Sequence, residues 1–335
     1  MNPFTDKVAE SVSALGELRL IDAIRRWLGD TAPRAPRGMG DDCAVLPLPL
    51  AACARARMRA GEGGGGGTQV RAARRSQLVT VDPVIYGQHF DDAVRPQDAG
   101  AKLLRRNLSD IAAMGGRPRS AVIALLLDGR VRTAWVEGFY RGLAGVAREH
   151  GVALVGGDIA TLPGGLAATL TLLGETTSER ALCRTGARAG DWIYVTGRLG
   201  GSLASGRHYR FTPRLAEGEW LAARREVRAM MDVSDGLAKD LQALTPAGCT
   251  PAIEASALPR HRGCDVRAAL CDGEDYELLF ALAARADRAV FDAEWRRAFP
   301  KVPATCIGRF MTAGNAPVDA LDLSELHGFE HLRAR

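Results

Sequence analysis

Apolar residues recur at helical spacing over 17–28 (ELRLIDAIRRWL) before the chain enters the Pro/Gly-rich run TAPRAPRGMG. The same period returns over 97–114, closed by Gly115-Gly116, and over 133–150, where Trp135, Phe139, Leu143 and Val146 share one face. Gly151 is placed to end that helix in a left-handed turn. Shorter apolar runs predict strands at 78–81, ending at Asp82, at 121–127, at 152–155, leading into Gly156-Gly157-Asp158, and at 166–173. A second unit begins near Thr176. It is expected to hold a strand at 192–195, a helix over 212–230, a helix starting at Ser234 or Asp235, a strand at 276–281, a helix over 283–299 and a strand at 305–307. The strands are short and hairpin-like neighbours occur, which predicts α+β (mixed α/β) layering in preference to a doubly wound sheet.

At 335 residues the chain is long enough for two domains, expected at 1–175 and 176–335. Residues 51–77 break the pattern. They are rich in Ala, Arg and Gly and include five consecutive glycines, 63–67, so they read as a flexible insertion between strands. A phosphate-cradling loop needs a Lys and a helix after its glycines, and neither follows here.

Composition narrows the function classes. With 47% hydrophobic and 25% charged residues this is a folded, soluble type of chain. The formal charge of +5 suits an anionic substrate without demanding one. No Lys/Arg block is interleaved with aromatics, which argues against a nucleic-acid groove. Seven cysteines, an odd number with no CxxC pair, point to reduced, mostly buried thiols and not to a disulfide framework or a zinc site. The N-terminal segment lacks the apolar core of a secretory signal, and no run approaches the roughly 18 apolar residues of a membrane span. No membrane contact and a cytoplasmic location are therefore expected.

The aspartates carry the chemistry. Asp41, Asp42, Asp82, Asp110, Asp158, Asp232 and Asp235 come from five segments, most of them ending an apolar run or sitting beside glycine. Any one of them is equally well read as a helix cap or turn residue. As a set they are not, because unrelated caps have no reason to follow apolar runs repeatedly. Gathered carboxylates repel unless cations lie between them, and hard oxygen donors select Mg²⁺, which bridges carboxylates to substrate phosphates. That is a nucleotide-phosphate site without a P-loop, since GxxxxGK[ST] is absent and GRLGGS (197–202) has no lysine.

Seven motifs in order resemble the thiamine-monophosphate kinases: GDDCAVL (40–46), VTVDPVIYGQHF (79–90), NLSDIAAMGGRP (107–118), VGGDI (155–159), ALCRTGARAGDWIYVTGRLG (181–200), MDVSDGLAKDL (231–241) and GEDYELLF (273–280). The resemblance runs from about Leu18 to Phe329. It implies the two-domain fold of the aminoimidazole-ribonucleotide-synthetase-like superfamily, with the N-terminal sheet paired across a homodimer. It implies that Asp42, Asp82, Asp110, Asp158, Asp232 and Asp235 hold several Mg²⁺ ions, with Asp41 beside them and with Thr80 and the Val81 carbonyl completing the shell. Asp110 and Asp232 are the implied catalytic centre. Gly157, Asp158, Arg184 and Ser234 are implied to bind ATP, the co-substrate. His89, Glu274 and Phe329 are implied to bind thiamine monophosphate.

The chain departs from the family pattern at several points. Ile159-Ala160 stands where a Thr is usual, Val81 replaces a hydroxyl residue, Pro83 replaces a Thr, and the segment 206–214 is short. Related synthetases fit less well: selenophosphate synthetase calls for a reactive Cys and a Lys in a glycine-rich segment, and the hydrogenase-maturation relatives call for a C-terminal Cys. A nucleotide-binding regulator that has lost catalysis is the non-enzymatic alternative, motivated by Ile159 and Ala160.

Overall fold

The computed structural model of the chain describes residues 44–47, 75–315, 317 and 320–330. Asp41, Asp42, the 17–28 helix and most of the 51–77 insertion lie outside the described residues. The insertion's last two positions, Ser76 and Gln77, already belong to a strand.

The first half is one sheet with two helices on it. Its strands are β1 (Ala44–Pro47), β2 (Ser76–Ile85), β3 (Gly116–Leu127), β4 (Ala153–Thr161) and β5 (Leu166–Thr176), in the order β1-β2-β5-β3-β4. Only β3 and β4 run parallel. Helices α1 (Pro96–Ala113) and α2 (Thr133–His150) follow β2 and β3. Alternation along β5 sends Ala168, Leu170 and Leu172 to the helices, where they meet Leu103, Leu104, Leu108, Phe139 and Leu143. The two helices touch through glycine: a Cβ on Gly100 would lie 2.0 Å from Phe139 O, and one on Gly142 would lie 1.9 Å from Gln97 O. Any larger residue at either position forces the helices apart.

Strand β2 runs beyond its expected end at Asp82. It pairs with β5 from Gln77 to Ile85, so Asp82 lies within the strand and not at its tip. Pro83 is tolerated because the described part of β1 pairs only as far as Val79, leaving this stretch of β2 with one described neighbour. Strand β4 likewise carries Gly156-Gly157-Asp158 inside it, beyond its expected end at Val155.

The second half is an antiparallel sheet in the order β7-β9-β6-β10-β8. The strands are β6 (Trp192–Thr196), β7 (Val227–Asp232), β8 (Cys249–Ile253), β9 (Leu278–Leu282) and β10 (Ala304–Thr312). Helices α3 (Leu215–Ala222), α4 (Leu237–Leu244), α5 (Val266–Cys271) and α6 (Arg288–Ala298) accompany it. The helix expected over 212–230 is corrected here: it ends at Ala222 and the chain turns into β7. Both faces of β7 are covered. Ala229 and Met231 pack with α4 and α5 residues, while Val227 and Met230 pack with Phe291, Trp295 and the end of α1. A strand buried on both sides loses the alternation that marks a strand in sequence. The last turn of α1, Ala112 and Ala113, is therefore part of the second half's core and joins the two sheets.

Candidate active site

Helix α1 presents Lys102, Arg106, Ser109 and Asp110 along one face, at positions i, i+4, i+7 and i+8. Each meets a different element. Asp110 Oδ2 accepts a short hydrogen bond from Thr80 on β2. Ser109 Oγ donates to Asp232 Oδ2, at the end of β7, at 2.6 Å. Arg106 reaches back to β2, donating from Nη1 to Pro83 O at 2.7 Å and from Nη2 to Asp82 Oδ1 at 3.2 Å. Asp82, Asp110 and Asp232, from β2, α1 and β7, are thereby linked through a single helix face.

Beyond β7 the chain turns at Ser234 and Asp235, and both of their amides donate to Asp240 Oδ2 at 3.0 Å. Burial drives the Asp240 carboxyl well above its ordinary value, and the charges of Asp235 and Asp232 push the same way; Arg184 counters them. Asp235 pairs with Lys239 at 2.7 Å. Its carbonyl accepts the Phe329 amide at 2.7 Å, and Lys239 Nζ also donates to Phe329 O, so the chain's last described segment is tied over this turn.

Opposite lies the segment Gly273–Tyr276. Glu274 and Tyr276 both adopt left-handed backbone, with φ of 64° and 53°. Such a conformation costs a non-glycine residue roughly 1–2 kcal/mol. It is held by backbone bonds from Glu274 N to Ser234 O and from Tyr276 N to Val233 O, at 2.7 and 2.8 Å. The result directs the Glu274 carboxylate at α1. There Oε2 meets the fully buried Lys102 Nζ at 2.6 Å and His208 Nδ1 at 2.6 Å. Burial lowers the Lys102 pKa to about 8 against the pull of Glu274. Burial alone would raise that of Glu274, but the His208 bond and Lys102 bring it down to about 2. Both remain charged at neutral pH.

His89, Glu274, Phe329, Ser234, Asp235 and Arg106 line one cleft of about 350 Å³, within the range of small-molecule sites. His89 is nearly buried, and its Nδ1 accepts the Ile85 amide at 3.1 Å, which leaves Nε2 to carry the proton of the neutral ring.

Other expected residues are not brought to this cleft within one chain. Asp158 sits on the edge strand β4, in register with Ala124, Thr169 and Pro83. That register puts it three strands from β2, about 14 Å, and on the opposite face from Asp82. Gly157 lies beside it, where a Cβ would meet Ile123 O at 2.0 Å. The Val81 side chain is 59% exposed on the face turned away from Thr80 and Asp82, so only its backbone can serve the site. Among the described residues, no group of three or more His, Cys, Asp or Glu side chains is close enough to hold a metal ion as it stands. Lys102, Arg106, Ser109, His208 and Asp240 were missed in the sequence. For the first three the signal was present, as polar residues at helical spacing within an apolar helix.

The two-sheet α+β fold is that of the AIR-synthase-related proteins. The family model for the AIR synthase related protein N-terminal domain matches residues 40–176. Thiamine-monophosphate kinase of Salmonella typhimurium is 34% identical over 325 residues, covering 88% of this chain and 90% of that one. The enzyme of the same name from Rhodopirellula baltica is 34% identical over 289 residues, covering 83% and 84%. A solved structure described as AaThiL complexed with AMPPCP and TMP superposes with a TM-score of 0.75 at 28% identity, covering 97% of this chain and 100% of that one. The chain belongs to the thiamine-monophosphate kinase family.

Proposed function

We propose that the chain transfers the terminal phosphoryl group of ATP to the phosphate of thiamine monophosphate, giving thiamine diphosphate and ADP, the last step in making that cofactor. The observation that supports the reading is that Arg106, which lines the cleft with His89, Glu274 and Phe329, lies on the same face of α1 that links Asp82, Asp110 and Asp232.

The oxygen donors fit Mg²⁺ in kind: Asp82, Asp110 and Asp232 carboxylates with the Thr80 hydroxyl are hard ligands. In number they fall short within the described residues of one chain. Asp41 and Asp42 and a second copy's Asp158 are the proposed remainder. Bound there, magnesium supplies charge neutralisation between two anionic reactants. The side chains do the rest. Arg106 and Lys239 hold Asp82 and Asp235 in fixed orientations. Arg184 and Ser234 lie on the β7 side for the nucleotide. His89 offers a proton donor to the accepting phosphate, which is already largely ionised because its second pKa is about 6. No general base is needed.

A homodimer through the face of the first sheet that no described helix covers belongs to the same proposal. Val81, Thr171 and Val122 form a row across β2, β5 and β3, with Val81 and Val122 59% and 40% exposed. All nine residues of β4 are exposed. No described helix is long and apolar enough to cross a membrane, and a cytoplasmic enzyme remains the proposal.

The test is ADP release with thiamine monophosphate, thiamine or no acceptor, side by side. Turnover with the monophosphate alone is expected. Equal rates with thiamine, or ATP binding with no turnover on any acceptor, overturns the assignment.

A further inference from the structure

One oxygen of Glu274 is heavily committed and the other is not. Oε2 receives Lys102 Nζ and His208 Nδ1, each at 2.6 Å, the two nitrogens lying 2.7 Å apart, while among the described residues Oε1 has only the Tyr276 hydroxyl at 3.5 Å, the limit of a hydrogen bond. Lys102 is fully buried, with Nζ also donating to His89 O at 3.3 Å, and the Tyr209 hydroxyl reaches the same carbonyl at 3.0 Å. Five side chains from three separate segments therefore meet at the floor of the cleft. Burying a lysine for stability is a poor bargain, since an apolar pair of similar volume does as well. A buried ammonium that fixes a carboxylate's orientation beside a ligand cleft has a use of another kind: it leaves a single acceptor aimed in one direction.

We propose that Lys102 and His208 are positioning residues that clamp Glu274 Oε2, so that Oε1 accepts a hydrogen bond from the acceptor substrate's base. The inference rests on the substrate assignment above: the donor in thiamine monophosphate is the exocyclic amine of its aminopyrimidine ring. His208 belongs to the 206–214 segment, and it is placed by Gly206 in left-handed backbone (φ 67°) and by the Tyr209 ring, tilted at 42° with its centre 3.8 Å away. A site built around a hydrogen-bonded donor rejects analogues lacking it, because the unmatched acceptor is left buried and unsatisfied.

The experiment compares His208→Leu, His208→Asn and Lys102→Met with the wild-type chain. Asn places its amide nitrogen near the position of Nδ1 and restores the donor. ADP release gives KM and kcat for both substrates, and calorimetry gives thiamine monophosphate binding without turnover. His208→Leu is expected to raise the KM for thiamine monophosphate about tenfold or more, corresponding to the loss of one charge-assisted hydrogen bond. Its KM for ATP and its kcat stay within threefold, and His208→Asn recovers most of the loss. An analogue with hydrogen in place of the amine binds wild type and His208→Leu alike. Where a variant melts early, the wild-type preference for the amine over that analogue decides. Unchanged acceptor KM in His208→Leu, equal loss for ATP, failure of Asn to recover, or no wild-type preference for the amine each overturns the clamp. A wild-type chain that neither binds nor phosphorylates thiamine monophosphate overturns the substrate assignment instead.

Discussion

Ser109 donates to Asp232 across the seam between the two halves, from α1 to the end of β7, at 2.6 Å. Both residues are almost completely buried. Their bond sets the spacing between Asp232 and Asp110, the residue after Ser109, and so sets the width of the acidic site. Ser109→Ala withdraws the donor from a buried carboxylate, a change worth about 1–3 kcal/mol. Urea denaturation is expected to register a loss of that size, with the weakened helix–strand contact also lowering turnover. A variant as stable as wild type removes Ser109 from this role.

Asp110 holds the middle of the acidic set. Asn in its place still accepts the Thr80 hydrogen bond but cannot offer a charged ligand. Asp110→Asn is expected to fold with wild-type melting behaviour and to lose at least a hundredfold in turnover, together with its response to added Mg²⁺. Near-normal activity takes Asp110 out of the metal set.

The elements that were legible in sequence are those with one buried face. Helix α2 and its Gly151 terminus lie where periodicity put them, with Gly151 at φ 65°. Strand β7 was unreadable for the opposite reason: apolar on both sides, it continues the helical run before it. Of the acidic residues singled out in sequence, Asp82, Asp110 and Asp232 are linked through α1, whereas Asp158 lies three strands from Asp82, and both Asp82 and Asp158 lie within strands and not at their tips. Their partners were not legible. The roles of His208 and Asp240 depend on Glu274 and on the Ser234–Asp235 turn, contacts 66 and 6 positions away, and neither leaves a local pattern.

His89 tests whether the reaction needs a base. In His89→Asn the side-chain oxygen keeps an acceptor for the Ile85 amide while the Nε2 donor disappears. The expected result is a rise in the KM for thiamine monophosphate of about tenfold with kcat within a few-fold. A fall of several powers of ten in kcat at constant KM assigns His89 proton transfer and refutes the binding role.

The face of the first sheet that no described helix covers makes a prediction about assembly. Val122 lies in the middle of that face, on β3, with Thr171 beside it. Val122→Arg puts a charge where a second copy is proposed to pack, which an apolar interface tolerates poorly. Sedimentation is expected to find a dimer for wild type and a monomer for the variant. Turnover falls with it, because the monomer leaves Asp158 stranded from Asp82. A monomeric wild type, or a dimer insensitive to the substitution, refutes this face as the interface.

Asp275 gives the pH dependence of stability its sharpest feature. Burial pushes its carboxyl up to about 7 from an ordinary 3.8, even though the Gly200 amide donates to it and Arg207 lies near. Between those values the folded chain holds a proton that the unfolded chain has released. Stability therefore falls as pH rises, by up to roughly 1.4 kcal/mol per pH unit. The contribution is fully present below 3.8 and gone above 7. Asp275→Asn keeps an oxygen for the Gly200 amide and cannot ionise. Urea denaturation from pH 5 to pH 8 is expected to show the variant gaining on wild type steadily across the interval, then running parallel to it. A constant difference over that whole range means that Asp275 does not titrate there, and the buried carboxyl is ionised throughout.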